Sequence, residues 1–209
     1  MQRRGRALVS AVGAAGVLAA AFVAGVVVAG SPEGERMAPP EEVSPEQMMA
    51  AWQQANAKGE HHEHLKAFVG TFDVKVSMQM LPDTDVYESE GVSEGEWILD
   101  GRFVKSTFRG ESFGMAFEGI SITGYANATG KYQTVWMDSM GNTMQYAEGT
   151  CRGGRVFTYT GTETDPMTRQ THEYRDVMTV HGHDRHTFER FYQTPGGEHR
   201  GIWIEYTRK

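Results

Sequence analysis

The sequence predicts a mainly β fold, a single antiparallel up-and-down β-barrel of about ten strands, on the basis of two observations. From Val69 onward apolar residues such as Phe72, Val74 and Val76 alternate with polar ones, as in a half-buried strand. Turn signals then recur at short intervals without a helical pattern between them. A meander of this length is expected to close, because closure leaves no strand edge unpaired. A two-sheet sandwich is the alternative.

Residues 1–30 predict an export segment. Three Arg within the first six residues precede an uncharged stretch from Ala7 to Gly30, and a basic head before an apolar stretch is typical of a signal peptide. The stretch is also long enough to cross a membrane. Small residues before Gly30 offer a cleavage site, so a cleaved signal peptide and an uncleaved anchor are both open. The predicted location is exported, periplasmic or otherwise extracytoplasmic, with residues 7–30 as the tether if the segment is retained.

Residues 31–44 predict a flexible linker, because Pro32, Pro39 and Pro40 stand there among Glu and Gly. A helical cap is predicted over residues 45–68. The stretch Ser44-Pro45-Glu46-Gln47 supplies an N-cap Ser, Pro at the first helical position and a Gln that completes a capping box. This helix is expected to end near Gly59, and a second short helix follows to Phe68.

The barrel domain is predicted over residues 69–209. Its first strand is expected near 72–80, and the others near 86–99, 102–111, 115–126, 131–139, 142–151, 155–162, 168–181, 184–193 and 200–208. Turn signals such as Asp100-Gly101 and Gly153-Gly154 separate them. The chain holds 12 Met, 10 Phe, 8 Tyr and 4 Trp. Flexible thioethers and aromatic rings suit an adaptable apolar cavity, although they also fill solid cores.

Composition excludes several functional classes. The formal charge is −7, and residues 1–30 contain three Arg and no acid, so the remainder carries −10. This acidic balance argues against nucleic-acid binding and against attraction to anionic membrane surfaces. An aromatic content of 11% argues against disorder. Cys151 is the only cysteine, so no internal disulfide forms, and it is expected to be a small buried residue.

Several landmarks occur in order along residues 60–209. They are His64-Leu65, Phe68-Val69-Gly70-Thr71-Phe72, Trp97-Ile98-Leu99-Asp100-Gly101-Arg102-Phe103, Phe117-Glu118-Gly119, Gly124-Tyr125, Trp136-Met137-Asp138-Ser139-Met140-Gly141, Glu148-Gly149 and Tyr206-Thr207-Arg208-Lys209. On these landmarks the chain resembles an uncharacterised bacterial family, domain of unknown function 1579. The resemblance implies a lipocalin-like (calycin-type) barrel and brings no known activity. In such barrels a Gly-x-Trp on the first strand lies under an Arg of the last strand. Here Gly70 and Phe72 occupy the motif, with Phe in place of Trp, and Arg208 is the expected partner in this structural role.

Two motifs with catalytic precedents have simpler interpretations. Gly110-Glu111-Ser112-Phe113-Gly114 matches the G-x-S-x-G pattern of serine hydrolases, but that motif needs a turn from a strand into a helix. Strand character continues after Gly114, so we interpret the segment as a hairpin loop. Asp138 and Glu148 flank the Met140-Gly141 turn, and paired carboxylates can serve acid–base chemistry. Turn-flanking residues that hold a hairpin are the commoner interpretation.

The histidines supply the metal and haem alternatives. His61 and His64 lie three residues apart on one predicted helix face, where two imidazoles and a carboxylate could hold zinc. His181, His183 and His186 straddle a Gly turn and need not converge. A haem would need one inward His, for which His172 and His186 are the strand candidates. A solvated helix start and ordinary strand positions are the structural alternatives for these residues.

The leading hypothesis is a non-enzymatic protein that binds a small apolar or amphipathic ligand inside the barrel. Asp138 or Glu118 would orient the polar end of the ligand in this hypothesis. The full set of predicted ligand-binding residues is Trp97, Glu118, Trp136, Asp138, Met144, Glu148 and His172. The alternatives are a haem or metal protein or an enzyme that uses His172, His186 or the His61/His64 pair, and a structural or interaction domain with a filled core. No catalytic residue and no metal site is assigned, the cofactor is unknown, and a membrane contact is expected only through the N-terminal segment.

Overall fold

The structure, a computed structural model, describes residues 43–79 and 81–209. The predicted signal or anchor over residues 1–30, the linker up to residue 42 and Met80 lie outside the described residues. The helical elements are α1 Pro45–Ala55, α2 Glu60–Glu63 and a 3-10 turn His64–Phe68. The strands are β1 Gly70–Met78, β2 Tyr87–Ile98, β3 Phe103–Ser112, β4 Met115–Ala126, β5 Lys131–Asp138, β6 Gln145–Arg152, β7 Val156–Thr164, β8 Thr171–Val180, β9 Arg185–Thr194 and β10 Gly197–Arg208.

The ten strands form a closed antiparallel barrel, so the predicted fold class is confirmed. Each strand pairs with its neighbours in sequence, and β1 pairs with β10 to complete the ring. That closing pair runs in register from Phe72 opposite Arg208 to Met78 opposite Ile202. The observed strand ends differ from the predicted ones by about three residues at most.

The period-two pattern of β1 separates the inside of the barrel from the outside. Phe72 and Val74 are buried and point inward, whereas Asp73 and Lys75 between them are exposed. Because directly paired residues share a face of the sheet, the register carries this assignment from strand to strand. Phe72 pairs with Ser93, which pairs with Phe108, so both of these point inward as well.

Helix α1 begins as the sequence predicts but stays at the surface. The Ser44 hydroxyl accepts from the Gln47 amide N–H at 3.2 Å, and the Gln47 side chain accepts from the Ser44 N–H at 2.8 Å, which completes the capping box. No residue of the helix is buried, and Trp52 is 63% exposed. Its C-terminal end is held by Asn127, whose Nδ2 donates to the carbonyls of Ala55 and Ala57.

Residues 60–68 close one end of the barrel, which we call the closed end. Leu65 and Phe68 are buried there, and they pack against core residues of the distant strands, including Phe157. The Phe68 and Phe157 rings meet edge to face at a centroid distance of 5.2 Å. The part of the predicted helical cap that covers the barrel is therefore this segment and not α1.

Arg208 seals the same end in the position expected from its sequence. Its guanidinium lies over the Phe72 ring at 4.6 Å from the centroid. It also donates to the backbone carbonyls of Val69 at 2.8 Å and His183 at 3.0 Å. Gly70 has a φ of 129°, and a Cβ there would collide with the Arg208 guanidinium, so glycine is required twice over at this position.

The opposite end of the barrel, the open end, carries exposed apolar side chains on four of its strand connections. These side chains are Leu81, Val86, Phe113, Met115, Met140, Met144 and Met167, each at least half exposed. In residues 43–79 and 81–209, no helix has both the length and the apolar character of a membrane span.

Replacing Arg208 with Ala should destabilise the barrel by about 2–4 kcal/mol. The change removes one cation–π contact and charge-assisted hydrogen bonds to backbone carbonyls, one of which, that of Val69, is partly buried. Urea unfolding measures the effect, with Arg152→Ala at an exposed position as the control. Equal losses in the two variants would contradict the sealing role of Arg208.

Candidate functional site

A cavity of about 50 Å³ lies inside the barrel next to the closed end. Its apolar wall comes from Phe68, Phe72, Phe108, Trp136 and Met178. A space of this size admits a few water molecules or a small chemical group, because one water needs roughly 10–15 Å³ by the same kind of measure. Drug-sized ligands occupy pockets of about 300–1,000 Å³, so a porphyrin does not fit the space beside His186.

The half of the interior toward the open end is loosely filled. Val76, Phe117, Phe188 and Ile204 all point inward by register, yet each keeps part of its surface accessible. A solid core of close-packed side chains would bury such residues almost completely. These four side chains are therefore less tightly packed than the core at the closed end.

His186 and Tyr206 bring two polar groups into the cavity wall. Their rings stack at a centroid distance of 4.3 Å with planes 12° apart, and the His186 ring also meets Phe72 edge to face at 4.8 Å. His186 is 4% exposed, and none of the described residues forms a hydrogen bond with its ring nitrogens. Burial lowers the pKa of His186 to about 3, with the nearby positive charge of Arg208 as the next cause, so the ring is neutral at physiological pH.

The Tyr206 side chain is partly buried and also lines the cavity. Burial alone raises the pKa of Tyr206 above its ordinary value, so the phenol is protonated, and no described residue forms a hydrogen bond with it. No fully buried side-chain nitrogen or oxygen of the described residues lacks a hydrogen-bond partner, so the polar atoms of both residues keep some access to the cavity. An imidazole and a phenol that face the cavity are therefore able to bind a polar group placed there.

Small hydroxyl side chains form the third part of the wall. Ser93, Ser106, Ser121 and Thr123 line the cavity from β2, β3 and β4. The Thr123 hydroxyl is 3.0 Å from that of Thr134 on β5. Because Ser and Thr are short, they leave open the space that larger inward residues would fill, and each adds a donor and an acceptor.

Trp136 and Asp138 are the two predicted ligand-binding residues that the structure brings together. The Trp136 ring lines the cavity and lies over Gly119, where any Cβ would collide with it. Its indole N–H donates to Asp138 Oδ2 at 2.9 Å. The other Asp138 oxygen accepts from the backbone N–H groups of Met140 and Gly141 at 3.0 Å each. Asp138 thus holds both the Trp136 ring and the following turn.

Three other predicted residues lie outside the barrel interior, contrary to the expectation that Glu118 would meet a ligand there. Glu118 points outward next to inward Gly119 and pairs with Arg109 at 3.3 Å. Glu148 is exposed on the outer face and accepts from the Tyr146 hydroxyl at 3.2 Å, so it lies on the opposite face from Asp138. Met144 is 66% exposed in the loop before β6. Register sets Glu118 and Glu148 on the solvent side of the sheet, whereas Met144 belongs to no strand and lies in an exposed loop.

The remaining candidates occupy the two ends of the barrel. Trp97 points inward at the closed end and packs, partly buried, against the core there. His172 pairs with Glu163 near the open end and is exposed. Ser112 of the G-x-S-x-G match ends β3, and the hairpin turn at Phe113-Gly114 follows it, as interpreted from the sequence.

A buried ion pair joins the adjacent strands β8 and β9, nearer the open end than the cavity. Arg190 binds Asp176 through two hydrogen bonds, at 2.8 Å from Nε and 2.9 Å from Nη2. Its Nη1 donates to Gln145 at 2.8 Å, and its guanidinium lies over the Tyr174 ring at 3.9 Å. Burial raises the pKa of Asp176 while Arg190 opposes that shift. The charge of Arg190 is thus matched inside the protein.

His61 and His64 converge on a tyrosine at the closed end. The Nδ1 atoms of His61 and His64 lie 3.2 Å and 2.7 Å from the Tyr132 hydroxyl. Tyr132 is 2% exposed, and burial raises its pKa above the ordinary value. The predicted zinc arrangement with a carboxylate is absent, since no group of three or more His, Cys, Asp or Glu in the described part of the chain is placed to hold a metal ion.

Sequence reasoning missed Asp176, Arg190, Tyr132 and Tyr206. One signal was available for the ion pair. Arg190 lies on the same face of its strand as Phe188 and Tyr192, and a charged residue on an otherwise apolar face indicates burial with a partner. The role of Tyr132 had no sequence signal, since it lies 71 and 68 residues from its two histidine partners.

These features define a class of protein: a ten-stranded antiparallel barrel with one sealed end, a partly accessible interior and a polar group at its base. The sequence matches the model of the family described as "Protein of unknown function (DUF1579)" over residues 57–208, and the chain belongs to that family. No curated protein matches the sequence. Among solved structures, a redesigned β-barrel is similar at 13% identity, with a TM-score of 0.37, over 70% of this chain and 95% of that chain.

The His186 ring should make stability pH-dependent. In the unfolded chain its pKa is near 6.5, so only the unfolded state binds this proton between about pH 6.5 and 3. The stability that the neutral His186 ring contributes is fully present above pH 6.5 and decreases as the pH falls through that window. About 2 kcal/mol of it is lost by pH 5. Urea unfolding at pH 7 and at pH 5 gives the free energy of unfolding at each pH. The decrease between the two should be about 2 kcal/mol smaller in His186→Phe than in the unchanged protein. His172→Phe is the control, and an unchanged pH dependence in His186→Phe would refute the assignment.

Breaking the interior ion pair on one side should cost more than removing both partners. Asp176→Leu leaves the Arg190 charge buried, which typically destabilises a protein by about 3–5 kcal/mol. The double variant Asp176→Leu/Arg190→Met removes that charge and should recover a large part of the loss. Chemical unfolding of the three proteins measures this difference, and an equal or greater loss in the double variant would disprove it.

Proposed function

We propose that this protein binds a small amphipathic molecule with an uncharged polar end inside the barrel. The observation that carries the proposal is a pair of polar side chains, the buried His186 and the partly buried Tyr206, that face the cavity without a hydrogen-bond partner among the described residues. The polar end of the ligand would bind there, and its apolar part would extend along the loosely filled interior toward the open end.

The charge balance of the cavity supports an uncharged polar end. His186 is neutral, Tyr206 is protonated, and the other polar lining residues are Ser and Thr. The two nearest guanidinium groups have partners of their own: Arg208 binds backbone carbonyls and Arg190 binds Asp176. A carboxylate would lose its hydration without gaining a free positive charge, which is costly in a buried site.

The open end supports entry of an apolar group. Phe113 and Tyr87 stack there at a centroid distance of 4.5 Å, and Met115 begins β4 beside them. Exposed Met and aromatic side chains at the mouth of a barrel provide a flexible apolar surface for a ligand that leaves water. The proposed function is that of an exported binding protein, in line with the predicted export segment, and it requires no catalytic residue.

A matched pair of ligands tests the proposal. Titration calorimetry with n-octanol and with octanoate compares the same apolar chain with an uncharged and a charged end. Octanol should bind with one site per chain, and octanoate should bind at least tenfold more weakly, because no free cation faces the cavity. Equal binding of both, or binding of neither, would contradict the proposal.

Two variants locate the site. Ser121→Leu places an apolar side chain in the cavity, and His186→Phe removes a polar group while keeping an aromatic ring. Each should weaken octanol binding at least tenfold, whereas Thr150→Leu on the outer face should leave it unchanged. Octanol affinity that stays the same in both cavity variants would place binding elsewhere.

A further inference from the structure

The cluster of His61, His64 and Tyr132 at the closed end has a second chemical capacity besides hydrogen bonding. Two imidazole nitrogens lie beside one phenol oxygen, with Nδ1 to hydroxyl distances of 3.2 Å and 2.7 Å. The two imidazole rings themselves lie 5.6 Å apart with planes 80° from each other. These atoms come from two separate elements, the turn of residues 60–68 and strand β5.

We propose that His61, His64 and Tyr132 bind a divalent ion of the zinc type. Zinc prefers nitrogen and oxygen ligands in a tetrahedral arrangement at about 2.0–2.2 Å. Two such ligands are separated from each other by roughly 3.3 Å, as follows from that bond length and the tetrahedral angle. The observed separations of 3.2 Å and 2.7 Å therefore need an adjustment of about half an ångström at His64 and less at His61.

The surroundings hold the three ligands in place before any ion binds. The His61 ring stacks on Tyr125 at a centroid distance of 4.2 Å, and the Tyr132 ring meets Phe157 edge to face at 5.0 Å. His62 between the two ligands is occupied elsewhere, since its Nδ1 accepts from the Gly59 N–H at 3.1 Å. Preorganised ligands of this kind reduce the entropy lost on binding.

The protonation balance of the proposed site is simple. Each histidine coordinates through a neutral Nδ1, and Tyr132 coordinates as a phenolate after its proton passes to the solvent, a loss that the charge of the ion drives against the burial that raises the pKa of Tyr132. One O–H bond breaks, three metal–ligand bonds form, and nothing is oxidised or reduced. His61 and His64 are only partly buried, so the fourth coordination position remains accessible to water or to a further ligand, as in zinc sites with three protein ligands.

A metal site and a hydrogen-bonded latch at these three residues would respond differently to added metal. A single hydroxyl can donate to one Nδ1 and accept from the other, which would fasten the closed-end segment to β5 with no ion involved. A latch would not respond to added metal. A metal site would bind one ion per chain, release a proton and raise the unfolding temperature, because the folded state alone presents the three ligands together.

Purified full-length chain, freed of metal by chelation, provides the test. Titration with Zn²⁺ should show one ion per chain, and Co²⁺ should give the visible bands of a four-coordinate site together with the ultraviolet difference band of tyrosinate. Tyr132→Phe should abolish the tyrosinate band and lower the affinity at least tenfold. His61→Phe, which keeps a ring against Tyr125, and His64→Ala should each lower the affinity at least tenfold as well.

His172→Ala is the matched control, because this exposed histidine lies near the opposite end of the barrel. Its affinity for Zn²⁺ should equal that of the unchanged chain. Absence of stoichiometric binding, or affinity that survives in His61→Phe and His64→Ala, would overturn the proposal and leave the latch. Retention of the wild-type affinity in Tyr132→Phe would overturn the role of the phenol.

Discussion

The pairing of β1 with β10 is the constraint on which the rest of the structure depends. These strands are the first and last of the barrel, and their seven registered pairs join Phe72–Met78 to the C-terminal strand. Without this pairing, two strand edges would lack hydrogen-bond partners and the inward face of the sheet would be exposed to solvent. Closure turns one face of a meander into an enclosed space, and it also places Arg208 over Phe72 at the sealed end.

Enclosure explains the chemistry of the interior. His186 is neutral because burial lowers its pKa, and burial likewise raises the pKa of Tyr206, which favours its protonated form. The same low polarity makes a full ion pair necessary wherever a charge is buried, and Arg190 accordingly meets Asp176 through two hydrogen bonds. The interior therefore divides into a neutral region around the cavity and a region nearer the open end where charge is present but compensated.

The closed-end segment links the cavity to the histidine–tyrosine cluster. Phe68 belongs to that segment and lines the cavity, where its ring is 5.2 Å from that of His186. It is equally close to Phe157, which in turn contacts Tyr132 at 5.0 Å. A change that moved residues 60–68 would act on the cavity wall and on the cluster together. The chain thus uses one short segment to seal the barrel and to complete two groups of polar side chains.

The sequence by itself determined the strands, their order and their antiparallel pairing, because period-two patterns and turn residues are local signals. It also determined the N-cap of the first helix at Ser44. The contact of Arg208 with Phe72 was expected from the family resemblance. It could not determine which face of β4 is inward, since Phe117 and Tyr125 on one row are matched by Ile120 and Ile122 on the other. Glu118 was therefore expected in a site that its register excludes.

Only the tertiary structure decided which distant polar groups meet. Asp176 meets Arg190 because the register of β8 and β9 pairs them directly, and Tyr132 meets His64, 68 residues away, because residues 60–68 cover the end of the barrel. A shift of one residue in the register of a strand would exchange its inner and outer faces. The pattern of apolar residues is fixed along the chain, but the side on which each one lies is settled by its neighbours in the closed sheet.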